Sequence, residues 1–135
     1  MREEPGAPMI LTVVEDLIFL SKIEETAKAL SVAIGPSGIA DAVARLRAGT
    51  ARGLLIDLNH RSGRAVELIE QLKSDPATAN ITVVGFLSHV QADLADSARA
   101  AGCDMVLARS AFVKQLPQLL VKLDGATSAP AATTS

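Results

Sequence analysis

Three acids stand at the ends of apolar runs. Glu15 and Asp16 follow Met-Ile-Leu-Thr-Val-Val, and Asp57 follows Gly-Leu-Leu-Ile. An apolar run that stops at an acid places that acid on the rim of a buried sheet. If the two runs are parallel neighbours, all three acids face one crevice, where like charges raise one another's pKa unless a cation joins them. Mg²⁺ suits such an all-oxygen donor set, because it is held through one or two carboxylates with water and phosphate completing its shell.

The elements that must carry these acids follow from periodicity. Met9–Val14 reads as a first strand, and Leu17, Leu20, Ile23, Ala27 and Leu30 give helical spacing across 16–30. A short strand is expected over 31–34, closed by Gly35-Pro36, then a helix over 37–48 and a third strand over 54–57. The helical pattern returns over 63–74 and stops at Asp75-Pro76. Ile81–Leu87 is a nearly unbroken apolar run, as in a strand covered on both faces. An Ala-rich helix over 91–101, a fifth strand over 104–108 and a last helix within 112–123 complete the pattern, with Pro117 expected in that helix's first turn.

Five strand-helix units in register predict an α/β fold with helices on both faces of a five-stranded parallel sheet and right-handed crossovers. In the 2-1-3-4-5 order of flavodoxin-like sheets, ligands bind outside the carboxyl ends of the strands at the switch point. The ends of the first and third strands border that point, and they carry the three acids.

Composition narrows the function classes. The chain has 135 residues, enough for one domain with a proper core, and 49% of them are hydrophobic. With 2% aromatic residues and a formal net charge of −2, it offers neither base-stacking platforms nor a basic field, so no nucleic-acid partner is expected. The single Cys103 allows no internal disulfide and no cysteine zinc cage. With no signal peptide and no apolar run long enough to span a bilayer, a cytoplasmic protein without a membrane partner is expected. Residues 1–8 read as a flexible lead-in, 9–123 as the folded domain and 124–135 as a disordered small-residue tail, or as the start of a linker if the chain is a fragment of a longer protein.

At this point the chain resembles the receiver (CheY-like) domains of bacterial two-component response regulators, over 9–123. The likeness rests on Val13-Val14-Glu15-Asp16, Leu55-Ile56-Asp57-Leu58, Asp75-Pro76-Ala77-Thr78, and Ala100-Ala101-Gly102-Cys103-Asp104 followed by Val106-Leu107-Ala108-Arg109, in the family's order and spacing. The resemblance implies a single-domain signalling protein of a phosphorelay. Asp57 would be the phosphoacceptor, and Mg²⁺ would be held by Glu15, Asp16, Asp57 and the main-chain carbonyl of Asn59. A histidine kinase or phosphotransfer protein would donate the phosphoryl group. No enzyme activity is implied beyond self-catalysed phosphoryl acceptance and autodephosphorylation, chemistry that is mostly positioning and charge stabilisation.

The departures from the family pattern bear on the same site. Leu87 stands where the family has a hydroxyl, with Ser88 one place later. Arg109 stands for its Lys, and these two cations are not interchangeable at a tight site; Ser110 stands for the Pro after it. Val106 replaces the aromatic switch residue, and the loop Asn59-His60-Arg61-Ser62-Gly63 is shorter and lacks its Pro. Arg109 and Ser88 are therefore the candidate phosphate-sensing residues, and His89 occupies a position that tunes phosphate lifetime in the family. Each has a plainer reading: a structural ion pair for Arg109, loop side chains for Ser88, His60 and His89, a helix cap for Asp16 or Asp57.

Three functions stay open on the sequence. The first is a receiver phosphorylated on Asp57 that acts through an unknown effector protein. The second is a pseudo-receiver, a protein-interaction module independent of phosphate. The third is a flavodoxin-like cobalamin or flavin binder, which the one-residue displacement of His60 and Gly63 from the Asp-x-His-x-x-Gly pattern disfavours. The resemblance puts partner contacts, including a homodimer, on the fourth helix, fifth strand and fifth helix, where Ala92, Ala95, Ala98 and Ala101 leave one helix small-faced; packing of these alanines on the sheet is the alternative.

Overall fold

The computed structural model describes residues 9–49, 51–88 and 91–126. Strands β1 (Met9–Val13), β2 (Ile34–Pro36), β3 (Ala51–Asp57), β4 (Thr82–Leu87) and β5 (Met105–Ala108) alternate with helices α1 (Leu17–Ala29), α2 (Ile39–Arg47), α3 (Ala65–Lys73), α4 (Ala92–Ala101) and α5 (Arg109–Ala126). The strands form one parallel sheet in the order β2-β1-β3-β4-β5, the expected α/β topology.

Period-two alternation splits the apolar side chains into two layers. Ile10, Leu55, Val84 and Phe86 face α1 and α5, meeting Phe19, Ile23, Phe112, Leu116 and Leu120. Leu11, Val13, Leu54, Ile56, Val83 and Leu87 face the other way, meeting Leu46, Leu68, Ile69, Leu72 and Ala98 of α2, α3 and α4. Each such side chain taken fully out of water contributes about 1.5–3 kcal/mol, so these layers fix the strand register. Asp57 follows Ile56, which turns it toward the α1/α5 layer.

Several elements differ from the sequence reading. After α1, Ser31 adopts a left-handed conformation (φ 59°), its N–H donates to Lys28 O at 3.1 Å, and Val32 N–H donates to Ala27 O at 2.8 Å. This helix-ending motif uses the residues expected to start the second strand and moves β2 to 34–36. Pro36 is tolerated because β2 is an edge strand. β3 begins at Ala51, three residues early.

The last helix runs over 109–126, with Pro117 inside it rather than in its first turn. Phe112, Leu116, Leu119, Leu120 and Leu123 are all buried along one face, while Pro117 is exposed. Packing of that face on the sheet outweighs the hydrogen bond that Pro117 cannot make. The helix also continues three residues beyond the expected domain end, so 124–126 are not tail; residues 1–8 and 127–135 lie outside the described residues.

The Asp75-Pro76-Ala77-Thr78 phrase is turn chemistry. Asp75 Oδ1 accepts the Ala77 N–H at 2.9 Å, and the buried Thr78 hydroxyl donates to Leu72 O at 2.7 Å, satisfying a carbonyl of the last turn of α3. Among the described residues, no helix is long and apolar enough to cross a membrane.

Candidate functional site

The carboxyl ends of β1 and β3 lie side by side, with Val13 paired to Ile56, so Glu15, Asp16 and Asp57 share one rim as expected. Their partners are side chains and N–H groups of the chain itself. Asp16 is the N-cap of α1, its Oδ1 accepting from the N–H of Ile18 at 3.0 Å and of Phe19 at 3.1 Å. Its Oδ2 lies 3.6 Å from Arg109 Nη1.

Asp57 is buried, with a side chain 8% exposed. Its Oδ1 accepts the Asn59 N–H at 2.9 Å, and its Oδ2 lies 3.9 Å from Arg109 Nη2. Burial pushes the Asp57 carboxyl above its ordinary range; the Asn59 N–H, then Arg109 and His60, pull it back, and the Glu15 charge raises it slightly further.

Glu15 turns to the loop after β3. Its Oε1 accepts the Arg61 N–H at 2.8 Å, and its Oε2 lies 3.7 Å from His60 Nε2 and 3.9 Å from Arg61 Nε. His60 is therefore no free surface histidine: its side chain is 10% exposed, and its Nδ1 is 2.9 Å from the Ser62 hydroxyl.

Arg109 is the first residue of α5, directly after β5. Its guanidinium carbon sits 4.5 Å from the centre of the Phe19 ring and 5.8 Å from that of Phe86. Those rings and Phe112 form a cluster with centroids 4.6–5.7 Å apart, which uses all three phenylalanines of the chain. The platform fixes the guanidinium plane by cation–π attraction. The sequence reading missed it, since residues far apart in the chain meet only once the α1/α5 layer is packed.

Asn59 links two loops. Its Oδ1 accepts the Ser88 N–H at 2.7 Å and lies 3.2 Å from the Ser88 hydroxyl, and its Nδ2 donates to Gln91 Oε1 at 2.7 Å. Gln91 had no role in the sequence reading. Leu87 is 4% exposed and belongs to the α2/α3/α4 core, so the end of β4 presents an apolar side chain to packing rather than a hydroxyl to the crevice. His89 lies outside the described residues.

As arranged, the acids do not form a Mg²⁺ shell. All six carboxylate oxygens of Glu15, Asp16 and Asp57 already face a donor on the chain. Among the described residues no three His, Cys, Asp or Glu side chains are grouped to hold a metal ion.

The small-faced helix is also accounted for: Ala95, Ala98 and Ala101 are buried against the core, leaving Ala92 exposed. Among the described residues, the large apolar side chains that are exposed are Leu17, Ile18, Leu30 and Val121, on α1, its C-cap and α5.

No family model matches the sequence, and no curated protein matches it. Solved structures do. The phosphorylated cyanobacterial phytochrome response regulator RcpA superposes with a TM-score of 0.73 at 22% identity, covering 93% of this chain and 99% of that one. A CheY-like receiver domain protein from Methanospirillum hungatei JF-1 gives a TM-score of 0.75 at 14% identity, over 90% and 98% of the two chains. The Mn²⁺-bound form of response regulator Rcp1 gives 0.70 at 17% identity, over 95% and 99%. The fold is that of response regulator receiver domains.

Proposed function

We propose that this chain is a receiver-type signalling module that acts through contacts with other proteins and whose Asp57 is held in an ion pair instead of serving as a phosphate switch. The observation that carries this reading is Arg109, whose guanidinium reaches both Asp16 and Asp57 while resting on Phe19 and Phe86. The burial of Leu87 supports it, because the end of β4 lacks the hydroxyl that would read a phosphate. Output passes to a partner protein in the cytoplasm, and the exposed Leu17, Ile18, Leu30 and Val121 offer it apolar contacts on α1 and α5.

A second reading keeps Asp57 as phosphoacceptor. It is favoured by the Asn59 N–H, which fixes Asp57 Oδ1, and by Arg109, which stands off from Oδ2 at 3.9 Å. Two of the similar structures are a phosphorylated regulator and a Mn²⁺-bound one. In that case a histidine kinase or phosphotransfer protein supplies the phosphoryl group, Arg109 and Ser88 meet its oxygens, and Mg²⁺ requires Arg109 to give up its acids first.

Incubation with acetyl phosphate and Mg²⁺, followed by intact-mass measurement, separates the two. The first reading expects no added phosphoryl group. A mass gain present in the unaltered chain and lost in Asp57→Asn would overturn it and establish the second.

A further inference from the structure

The crevice has a charge problem and a built answer to it. Three carboxylates gather on one rim, and the cation between two of them is a side chain whose place is set by packing. Arg109 begins α5, and one turn later Phe112 is fully buried against Phe86 and Phe19, the rings that carry the guanidinium. The Arg109 Nε is buried and has no hydrogen-bond partner among the described residues, so the rings and the two ion pairs set its orientation. Its separations of 3.6 and 3.9 Å from Asp16 and Asp57 are those of charge pairing, longer than direct hydrogen bonds.

A guanidinium suits this place. It is weakly hydrated, stays charged at any working pH, and stacks on aromatic faces. Mg²⁺ is the opposite: it dehydrates reluctantly and requires near-octahedral oxygen geometry at about 2.0–2.1 Å. Entry of Mg²⁺ would draw Asp16 Oδ2 and Asp57 Oδ2 away from Arg109. It would also set two positive charges beside a third that the phenyl rings keep from leaving.

We infer that Arg109 is the pocket's resident counter-ion, taking the charge-balancing place of a divalent cation, so that this acidic crevice excludes Mg²⁺ and Mn²⁺. The inference deepens the reading above but stands on the ion-pair geometry alone. Its test contains no phosphodonor, so the two fail separately.

The test is a titration of the full chain with Mn²⁺, read by paramagnetic broadening of the amide resonances of Asp16, Asp57 and Asn59, with Mg²⁺ as the diamagnetic competitor. In the unaltered chain no saturable broadening is expected up to about 1 mM, the weak end of protein sites for hard cations. Arg109→Met keeps an apolar stem on the rings and removes the charge. It is expected to bind Mn²⁺ about tenfold tighter or more, in a manner reversed by Mg²⁺ and abolished by adding Asp57→Asn. Arg109→Gln serves the same purpose if the Met variant does not fold. Saturable binding to the unaltered chain below 1 mM would by itself overturn the inference. So would a folded Arg109 variant that binds no better than the unaltered chain.

Discussion

Asn59 Oδ1 accepts the Ser88 N–H at 2.7 Å, tying the loop after β3 to the loop after β4 through one side chain. The same residue's N–H holds Asp57 Oδ1, and its Nδ2 reaches Gln91. Whatever moves Asp57 therefore also pulls on the entrance to α4. Replacing Asn59 by Ala removes the side-chain ties and keeps the backbone one, so it is expected to cost about 1–2 kcal/mol. The sharper readout is local: amide exchange at Ser88 and Gln91 should accelerate well beyond the global change, while Asp57→Asn should leave it near the unaltered rate. Uniform acceleration across the sheet would show that Asn59 acts only through overall stability.

Asp57 makes stability depend on pH in an unusual direction for an acid. Burial lifts its carboxyl above the ordinary value, so at pH between the unfolded and folded values the folded chain holds a proton that the unfolded chain has released. Stability contributed by this group is therefore greatest below the unfolded pKa and is lost as pH rises through the folded one. Asp57→Asn removes the buried charge and keeps an oxygen to accept the Asn59 N–H, and Arg109 retains Asp16. Its Tm is expected to exceed that of the unaltered chain at pH 7, with the gap closing as pH falls below the ordinary aspartate range. A Tm lower than the unaltered chain's at pH 7 would mean the Arg109 pair outweighs the desolvation of Asp57.

Leu87 tests whether the end of β4 is a damaged switch or a committed piece of core. The side chain is buried among α3 and α4 residues rather than turned to the crevice. Leu87→Thr should therefore lose about 2 kcal/mol or more, through lost apolar contact and a hydroxyl placed in an apolar layer. It should also leave the Arg109 ion pairs undisturbed. Urea unfolding gives the first quantity, and the amide shifts of Asp16 and Asp57 report the second. A neutral substitution with shifted Asp57 resonances would place the side chain in the crevice instead.

The strand ends and the order of the elements were legible because each apolar run must end where burial ends, and acids such as Asp57 mark that point. The helix termini at Gly102 and Asp75-Pro76 were legible for a local reason: Gly102 has a φ of 107°, which side chains other than glycine's rarely allow. What stayed hidden is long-range or cooperative. Nothing within a few residues of Arg109 shows that Phe19 and Phe86 lie beneath it, and nothing near Glu15 shows that Arg61 and His60 will occupy its oxygens. The start of β2 was misplaced because Ser31 takes the left-handed turn usually given to glycine.

Lys73 secures the opposite end of the sheet. Its Nζ donates to Ala79 O at 3.2 Å and Ile81 O at 2.8 Å and pairs with Asp104 Oδ2 at 3.0 Å, an oxygen that also accepts the Val83 N–H at 2.8 Å. One ammonium thus joins the end of α3 to the start of β4 and the entry to β5. Lys73→Met keeps the stem and removes every donor, so about 2 kcal/mol should be lost. Protection of the Val83 amide should fall, since Asp104 loses its cation. An unchanged midpoint in urea would show that water replaces the ammonium at no cost.

Pro117 carries the most direct test of how α5 is held. The residue is exposed in the middle of an 18-residue helix, where it supplies no N–H to the preceding turn. Its helix survives because Phe112, Leu116, Leu119, Leu120 and Leu123 form a continuous buried face on either side of it. If tertiary packing tolerates the proline against its intrinsic preference, Pro117→Ala should restore the missing bond without touching the core. A proline in a helix interior costs about 3 kcal/mol relative to alanine, and part of that is returned by the stiffer unfolded chain, so a gain of about 1–3 kcal/mol is expected. The gain should appear with unchanged dependence on urea concentration, because the surface exposed on unfolding is the same. A loss of stability would show that the proline ring, not the apolar face, fixes the path of α5.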